Sequence, residues 1–346
     1  MPMNEHKYMK LAQMMRENIL SGVYSNGSRL PGENELVKST GYSRQTVRQA
    51  MSILEKEGLT KRVQGSGTYV HHDVAHREQT YNIAVITTYI NEYIFPAVLS
   101  GIAQVLSENG YTSMLAATSN HVGNERKVLT GFLSKPIDGL IVEGTKSATP
   151  NPNIDLYEHF TRQHIPVVFI NGYYPNLNAP VYVVADDRAG GKTACDLLLK
   201  KGHQRIAGIF KIDDIQGGLR YEGYARALIN AGLPVEDDNV LWYDTDNREI
   251  VLNARLEQVL DGCSAAVCYN DEVTMRMIEI LQKAGHKPLP DIASFDKSTL
   301  AHFSAVPFAS LENPKEELGR LAARKLLRIL QGKTENSSVM PWKLES

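Results

Sequence analysis

The chain holds 346 residues, 42% of them hydrophobic and 22% charged, with a formal net charge of −2. That length suits one small domain plus one large one, and the composition excludes a disordered chain. No run approaches the roughly 18 apolar residues that a membrane-spanning helix needs. The polar start, Met1-Pro2-Met3-Asn4-Glu5-His6-Lys7, lacks the apolar core of a secretory signal. Cys195, Cys263 and Cys268 sit in apolar segments without metal-ligand spacing, so they read as buried thiols of a cytoplasmic protein, with no metal or cofactor expected. Charge is unevenly spread: residues 1–72 carry ten Lys/Arg against six Asp/Glu, a balance of +4 that leaves −6 for the remainder. A basic head on an acidic body is what a phosphate-binding head would show.

Tyr8, Leu11, Ala12, Met15 and Ile19 recur at helical spacing, and Ser21-Gly22 supplies the stop. After a turn at Arg29-Leu30-Pro31-Gly32, a short helix from about Glu33 to Thr40 turns Leu36 and Val37 inward. It ends at Gly41, which takes a left-handed C-cap without steric penalty. Ser43 is placed to cap a third helix, where Val47, Ala50, Met51 and Leu54 form an apolar stripe. Arg44, Gln45 and Arg48 fall off that stripe and face outward together. Such a face, after a tight glycine-containing turn, describes a helix entering the DNA major groove by its N-terminus. There Arg grips a guanine edge or a phosphate, and Gln reads adenine. Leu59 to Val70 reads as two short strands around Gln64-Gly65-Ser66-Gly67, with Lys61 and Arg62 on the rising strand. Glycines at a hairpin tip allow close backbone approach to a minor groove or a phosphate. Taken alone, a charged helix face is ordinary solvated surface; three helices with a glycine-tipped hairpin describe a winged helix.

Four stretches carry a resemblance to the head of GntR-type regulators: Leu30-Pro31-Gly32-Glu33-Asn34-Glu35-Leu36, Ser43-Arg44-Gln45-Thr46-Val47-Arg48-Gln49-Ala50, Leu54-Glu55-Lys56-Glu57-Gly58-Leu59 and Gly65-Ser66-Gly67-Thr68-Tyr69-Val70. The resemblance implies DNA contacts at Arg44, Thr46, Arg48 and the wing Gly65. Asn34 departs from it, because many members carry Arg there. The candidate DNA-contacting set is therefore Ser43, Arg44, Gln45, Thr46 and Arg48 on the helix, with Lys61, Arg62, Gln64, Gly65 and Ser66 on the wing.

From Tyr81 onward, short apolar runs alternate with helical segments. The runs are Ile83–Thr87, Thr112–Ala116, Gly139–Val142, Val167–Ile170, Val181–Val184, Ile206–Phe210, Ala265–Cys268 and Ile292–Phe295. Helical patterns such as Phe95–Asn109, Gly190–Lys201, Gly217–Ala231 and Asp271–Ala284 lie between them. This alternation predicts parallel sheets sandwiched by helices, and so many units in one segment predict two lobes with a cleft. Ligands of such sheets bind beyond the carboxyl ends of the strands. The polar residues there are Thr88, Tyr89, Tyr93, Glu143, Lys146, Asn171, Asp186, Asp187, Asn270, Asp271 and Asp296. Singly, Asn and Asp after a strand are common caps and turn formers. As a group, forked hydrogen-bonding side chains with aromatic rings suit a neutral polyhydroxylated ligand.

This half resembles the effector domain of LacI/GalR-type repressors and periplasmic sugar-binding proteins. The landmarks are Lys201-Gly202-His203-Gln204-Arg205-Ile206, Gly218-Leu219-Arg220-Tyr221-Glu222-Gly223-Tyr224 and Cys268-Tyr269-Asn270-Asp271-Glu272. The resemblance implies sugar contacts at Arg220, Asn270, Asp271 and Asp296, although Ile292-Ala293-Ser294-Phe295-Asp296-Lys297 lacks the family's usual Gly and second Asp. A GntR-type head on a LacI-type body, with Gly139-Leu140-Ile141-Val142-Glu143-Gly144-Thr145-Lys146-Ser147-Ala148, Asn151-Pro152-Asn153-Ile154 and Gly208-Ile209-Phe210-Lys211 before Asp213-Asp214, resembles the arabinose-responsive repressors. That implies L-arabinose as effector, with another pentose, a hexose or a purine as alternatives. The candidate sugar-binding set is Tyr89, Tyr93, Glu143, Lys146, Asn171, Asp187, Arg220, Asn270, Asp271 and Asp296.

The expected organisation is a winged helix-turn-helix over 1–71, a linker over 72–81, and an α/β two-lobed periplasmic-binding-protein-like domain for effector binding and dimerisation over 82–346. Asp186 to Thr193 ends like a P-loop, but an Asp stands where the first glycine is needed, and its charge opposes a phosphate. His159, His164, His203 and His286 lack a partner at a recognisable spacing, so no enzyme is expected. The function expected is a homodimeric repressor of carbohydrate genes, released from double-stranded operator DNA by its sugar. A soluble sugar-binding protein and a carbohydrate-active enzyme are the rivals from other classes.

Overall fold

The computed structural model describes residues 7–20, 23–25, 27–70 and 79–344. Ser21-Gly22 and residues 72–78 of the expected linker lie outside them. The chain falls into two compact units, Met1–Gln79 with Thr161–His164, and Thr80–Phe160 with Ile165–Ser346.

The first unit contains α1 (Lys7–Leu20), α2 (Glu33–Thr40), α3 (Arg44–Lys56), β1 (Thr60–Val63) and β2 (Gly67–Val70). Leu11, Met15, Leu36, Val47, Ala50, Leu54 and Val70 close one core, so the stripes read from the sequence do face each other. Gly41 ends α2 at φ 71°, its N–H on the Val37 carbonyl. Two residues later the Ser43 hydroxyl accepts the Thr46 N–H at 3.2 Å and starts α3. Three residues thus turn the chain between helices, because both exposed ends are capped locally. β1 and β2 pair antiparallel, Thr60 beside Val70 and Val63 beside Gly67.

The second unit runs through β3 (Asn82–Thr87), α4 (Phe95–Glu108), β4 (Thr112–Ala117), α5 (Val122–Leu133), β5 (Gly139–Glu143), α6 (Ile154–Arg162), β6 (Val167–Ile170) and β7 (Val181–Ala185). It continues through α7 (Asp187–Lys200), β8 (Ile206–Lys211), α8 (Ile215–Asn230), β9 (Val240–Tyr243), α9 (Arg248–Val259), β10 (Ala265–Cys268) and α10 (Asp271–Lys283). β11 (Asp291–Phe295), α11 (Thr299–Phe303), β12 (Ala309–Leu311), α12 (Lys315–Leu330) and β13 (Ser338–Met340) complete it. One lobe holds a six-stranded sheet of order β13-β7-β6-β5-β3-β4, the other a five-stranded sheet of order β12-β11-β10-β8-β9. Every pairing in both is parallel. The sequence reading lacked β9, β12 and β13. All three are edge strands of three or four residues, too short to show a period.

The chain passes between lobes after β7, after β12 and after β13, and Glu312 and Lys343 on the last two passages bond to each other at 2.7 and 3.0 Å. In the second lobe α7 and α8 touch backbone to backbone. A β-carbon on Gly191 would stand 2.0 Å from the Arg220 carbonyl oxygen, and one on Gly223 2.1 Å from that of Arg188. Neither helix can retreat without dragging its sheet. Gly223→Ala is therefore expected to cost about 3 kcal/mol or more in a urea titration, the upper end of overpacking effects; a loss below about 0.5 kcal/mol would show that the helices separate freely.

Candidate functional site

On the first unit, Arg44, Gln45 and Arg48 project from the start of α3, and Lys61, Arg62, Gln64, Gly65 and Ser66 are exposed on the wing. The Ser43 and Thr46 hydroxyls lie 2.8 Å apart, so the cap residue and the second predicted contact orient each other. Arg48 is held by Glu33 of α2, Nε donating to Oε2 at 2.8 Å. Arg29, Gly32, Glu33, Asn34, Glu35, Arg44 and Arg48 line a concavity of about 450 Å³ beside it. Glu33 and Arg29 were not singled out from the sequence, because their part depends on α2 meeting α3. At the wing tip Gly65 has φ 77°, and the Ser66 hydroxyl bonds the Tyr69 hydroxyl at 2.6 Å, stiffening the tip. The N-terminus of α3 and the cations on two elements give this surface a positive character that suits phosphate.

On the second unit, the carboxyl ends of both sheets bring most of the other candidates together. Arg220 of α8 is buried, 3% exposed. Its Nε donates to Asp187 Oδ1 at 2.8 Å, and Nη1 donates to the Tyr269 carbonyl. Tyr269, Phe295 and Trp342 stack around the guanidinium carbon at 4.8, 4.4 and 4.9 Å from their ring centres. Burial pushes the Asp187 carboxyl up to about 6, although Arg220 beside it pulls the other way. Tyr93, from the loop after β3, crosses to the second lobe: its hydroxyl donates to Asp296 Oδ2 at 2.6 Å and accepts the Asp271 N–H at 3.2 Å. Burial, then the Asp296 and Asp271 charges, hold that phenol well above its ordinary range.

In the first lobe, Glu143 accepts the N–H and hydroxyl of Thr88 at 2.8 and 2.5 Å, and the Asn171 amide at 3.0 Å. Burial still raises its carboxyl. Asn270 caps α10, its side-chain oxygen accepting the Val273 N–H at 3.0 Å. Asp271 accepts the Ser298 N–H and hydroxyl on one oxygen and the Ser310 hydroxyl on the other. Tyr89 is half-buried, with Lys211, Glu272 and Asp214 nearby.

Lys146 stands apart from this group. It reaches over the lip of the cleft to Asp246 at 2.7 Å, with Asp213 at 3.9 Å. Asn120 reinforces the lip, donating to Thr245 at 2.6 Å and Asp214 at 3.3 Å. Trp342, Tyr269, Asn120 and Asp246 were missed in the sequence, since their contacts lie some 50 to 125 residues away. Backbone strain marks the same region. Of ten non-glycine residues with positive φ among those described, seven are at these strand ends: Tyr93, Ser119, Asn120, Lys146, Asn171, Asp296 and Lys297. Residues are held in such conformations where surrounding structure over-determines them, commonly at ligand sites.

The histidines do find partners that sequence spacing did not show. His203 lies between Ser264 at 2.8 Å and Asp291 at 3.2 Å, and His286 faces Glu257 at 3.4 Å. His203 belongs to the amino ends of the second sheet, where Ser264 and Asp291 bond across strands, far from the cleft. Among the described residues no group of His, Cys, Asp and Glu could hold a metal ion, and no helix is long and apolar enough to cross a membrane.

The family described as bacterial regulatory proteins, gntR family, matches residues 7–70. The family described as periplasmic binding proteins and sugar binding domain of LacI family matches residues 80–342. The chain is similar to the "Arabinose metabolism transcriptional repressor" of Halalkalibacterium halodurans, 35% identical over 346 aligned positions that cover 96% of this chain and 92% of that one. It is similar to the protein of the same name from Geobacillus stearothermophilus, 37% identical over 333 positions, 94% and 91%. The structure of a "transcriptional regulator CelR-cellobiose complex" superposes with a TM-score of 0.69 at 20% identity, covering 92% of this chain and 99% of that one, a likeness of fold.

The folded chain holds the Asp187 proton more tightly than an unfolded carboxyl does. That contribution to stability is fully present below the ordinary carboxylate range and is lost as pH rises through about 6. The stability of the parent chain relative to Asp187→Asn should therefore fall between about pH 4 and about pH 6 in urea titrations. A difference that stays flat would show an unperturbed carboxyl.

Proposed function

This chain belongs to the transcriptional regulators that join a gntR-type head to a LacI-type sugar-binding body, and on that premise we propose that it is a repressor of arabinose-utilisation genes that L-arabinose releases from DNA. The observation that carries the ligand class is the Arg220–Asp187 pair, buried among three aromatic rings at the strand ends. A buried pair that balances its own charge, with Asp296 near it and Glu143 and Asp271 buried at the strand ends of the same cleft, repels a phosphorylated ligand and favours a neutral one rich in hydroxyls. Arg220, Asp187, Asn171, Glu143, Asn270, Asp271 and Asp296 are the proposed hydrogen-bonding partners, with Tyr89 and Tyr93 at the rim. Lys146, paired with Asp246, closes the lip over the sugar. The names borne by the two near-full-length relatives support arabinose among the neutral sugars.

On the head, Ser43, Arg44, Gln45, Thr46 and Arg48 are proposed to enter the major groove, and Lys61, Arg62, Gln64, Gly65 and Ser66 to follow the backbone beside it. Its place of action is the cytoplasm, and its working form is a homodimer. The outward Phe303 on α11, 81% exposed, and Leu115 on the edge strand β4 supply apolar surface for a second copy. A two-fold dimer requires a pseudo-palindromic operator.

The test is an anisotropy titration on a duplex that the protein itself selects from a random pool. L-Arabinose at millimolar concentration should weaken binding by about tenfold or more, the scale of ordinary allosteric coupling. Unaltered binding would sink the effector assignment, and no selection of any duplex at low salt would sink the regulator. Arg48→Ala should weaken the selected duplex by about 5- to 150-fold and leave sugar affinity alone. Arg220→Lys keeps the charge beside Asp187 but loses the planar fork, and should abolish the sugar response while sparing DNA binding.

A further inference from the structure

We infer that Asp138 is a positioning residue through which sugar occupancy of the cleft reaches the DNA-binding head, an inference that rests on the functional reading above. β3 and β5 lie side by side, Ile83 beside Gly139 and Ile86 beside Val142. The same chemical device pins this pair at both ends. At the cleft end Glu143, which closes β5, accepts the N–H and the hydroxyl of Thr88, just past β3. At the far end Asp138, just before β5, accepts the N–H and the hydroxyl of Thr80 at 2.9 and 2.8 Å. The second Asp138 oxygen takes the Tyr81 N–H at 2.8 Å. Thr80 is where the chain enters this unit.

The entry is built to be stiff. Asp138 is buried, 6% exposed. Tyr81 sits at φ 56°, a backbone region that residues with a β-carbon occupy only at a steric cost. Its ring packs on Tyr111 with centroids 5.4 Å apart, and its carbonyl accepts the Thr112 N–H at 2.7 Å. A freely jointed entry would average out any rearrangement of the body before the head could sense it; a clamped one passes the rearrangement on. The two clamping carboxylates are five residues apart along β5, about 17 Å at about 3.3 Å per residue. Every residue of β5 between them is buried. A sugar hydroxyl that draws on Glu143 therefore acts on a pinned pair of strands rather than on one side chain.

The experiment uses the full chain, L-arabinose and the selected duplex. The coupling ratio is the Kd for DNA at saturating sugar divided by the Kd without it, and sugar affinity is read separately by calorimetry. In Asp138→Ala the ratio should fall by about tenfold, against the 5- to 150-fold span of ordinary coupling, with sugar Kd unchanged within about threefold. Asp138→Asn and Thr80→Val should move it the same way by smaller factors. Thr80→Val removes one hydroxyl donor and keeps the side-chain shape, so it reports even if Asp138→Ala does not fold. A ratio unchanged in the folded variants, even with a lowered Tm, means that Asp138 only closes a sheet edge, and overturns the inference. A parallel loss of sugar affinity overturns it too, because the effect would then lie in the cleft. If L-arabinose fails to release the parent chain, the functional reading falls and takes this inference with it; a responsive parent beside responsive variants sinks the inference alone.

Discussion

A guanidinium taken out of water has to be answered, and the answer to Arg220 organises the second lobe. Its charge is met by Asp187 from the first turn of α7, its planar faces by Tyr269, Phe295 and Trp342, and one further donor by the Tyr269 carbonyl. Such a pair is stable only when its geometry is good and its remaining donors are used. The geometry demands that α7 and α8 approach at backbone distance, which is why Gly191 and Gly223 carry no β-carbon. It also demands that Trp342 return from the last passage between lobes. One buried charge thereby ties two helices, the sheet end and the hinge region to a single point at the cleft.

Much of this was legible from residue order alone, wherever the physics is local. Gly41 and Ser43 announce their caps because a cap is decided within four residues. Buried parallel strands such as Gly139–Glu143 announce themselves as continuous apolar runs. The polar residues that follow such strands fall where topology must put them, so Glu143, Asn171, Asp187 and Asp271 could be named without coordinates. What was illegible depends on meetings between distant segments. Lys146 could be read as a group in the cleft, but not that Asp246, 100 residues on, would draw it to the lip. Arg48 could be placed on the outer face of α3, but not that Glu33 would orient it. Asp138 gave no signal at all, since an Asp before a strand is an ordinary turn residue until Thr80 and Tyr81 converge on it.

The two units solve the same problem with different means. In the head, cations stay exposed at the start of α3 and along the wing, as the proposed contact with phosphates requires. In the body, charges are buried and paired within the protein, as suits the neutral ligand proposed for it. The +4 and −6 balances of the two segments are the sequence-level trace of that division.

The three passages between lobes also bear on synthesis. The six-stranded sheet takes β7 from mid-chain but its edge strand β13 from residues 338–340, and α12 packs on its inner strands β5 and β6 as well as on α4. The five-stranded sheet is complete once residue 311 has been made. On a ribosome, therefore, the lobe translated second has all its strands first. The lobe translated first waits with one sheet face covered only in part, by α4, and the rest of its apolar surface stays exposed until α12 emerges.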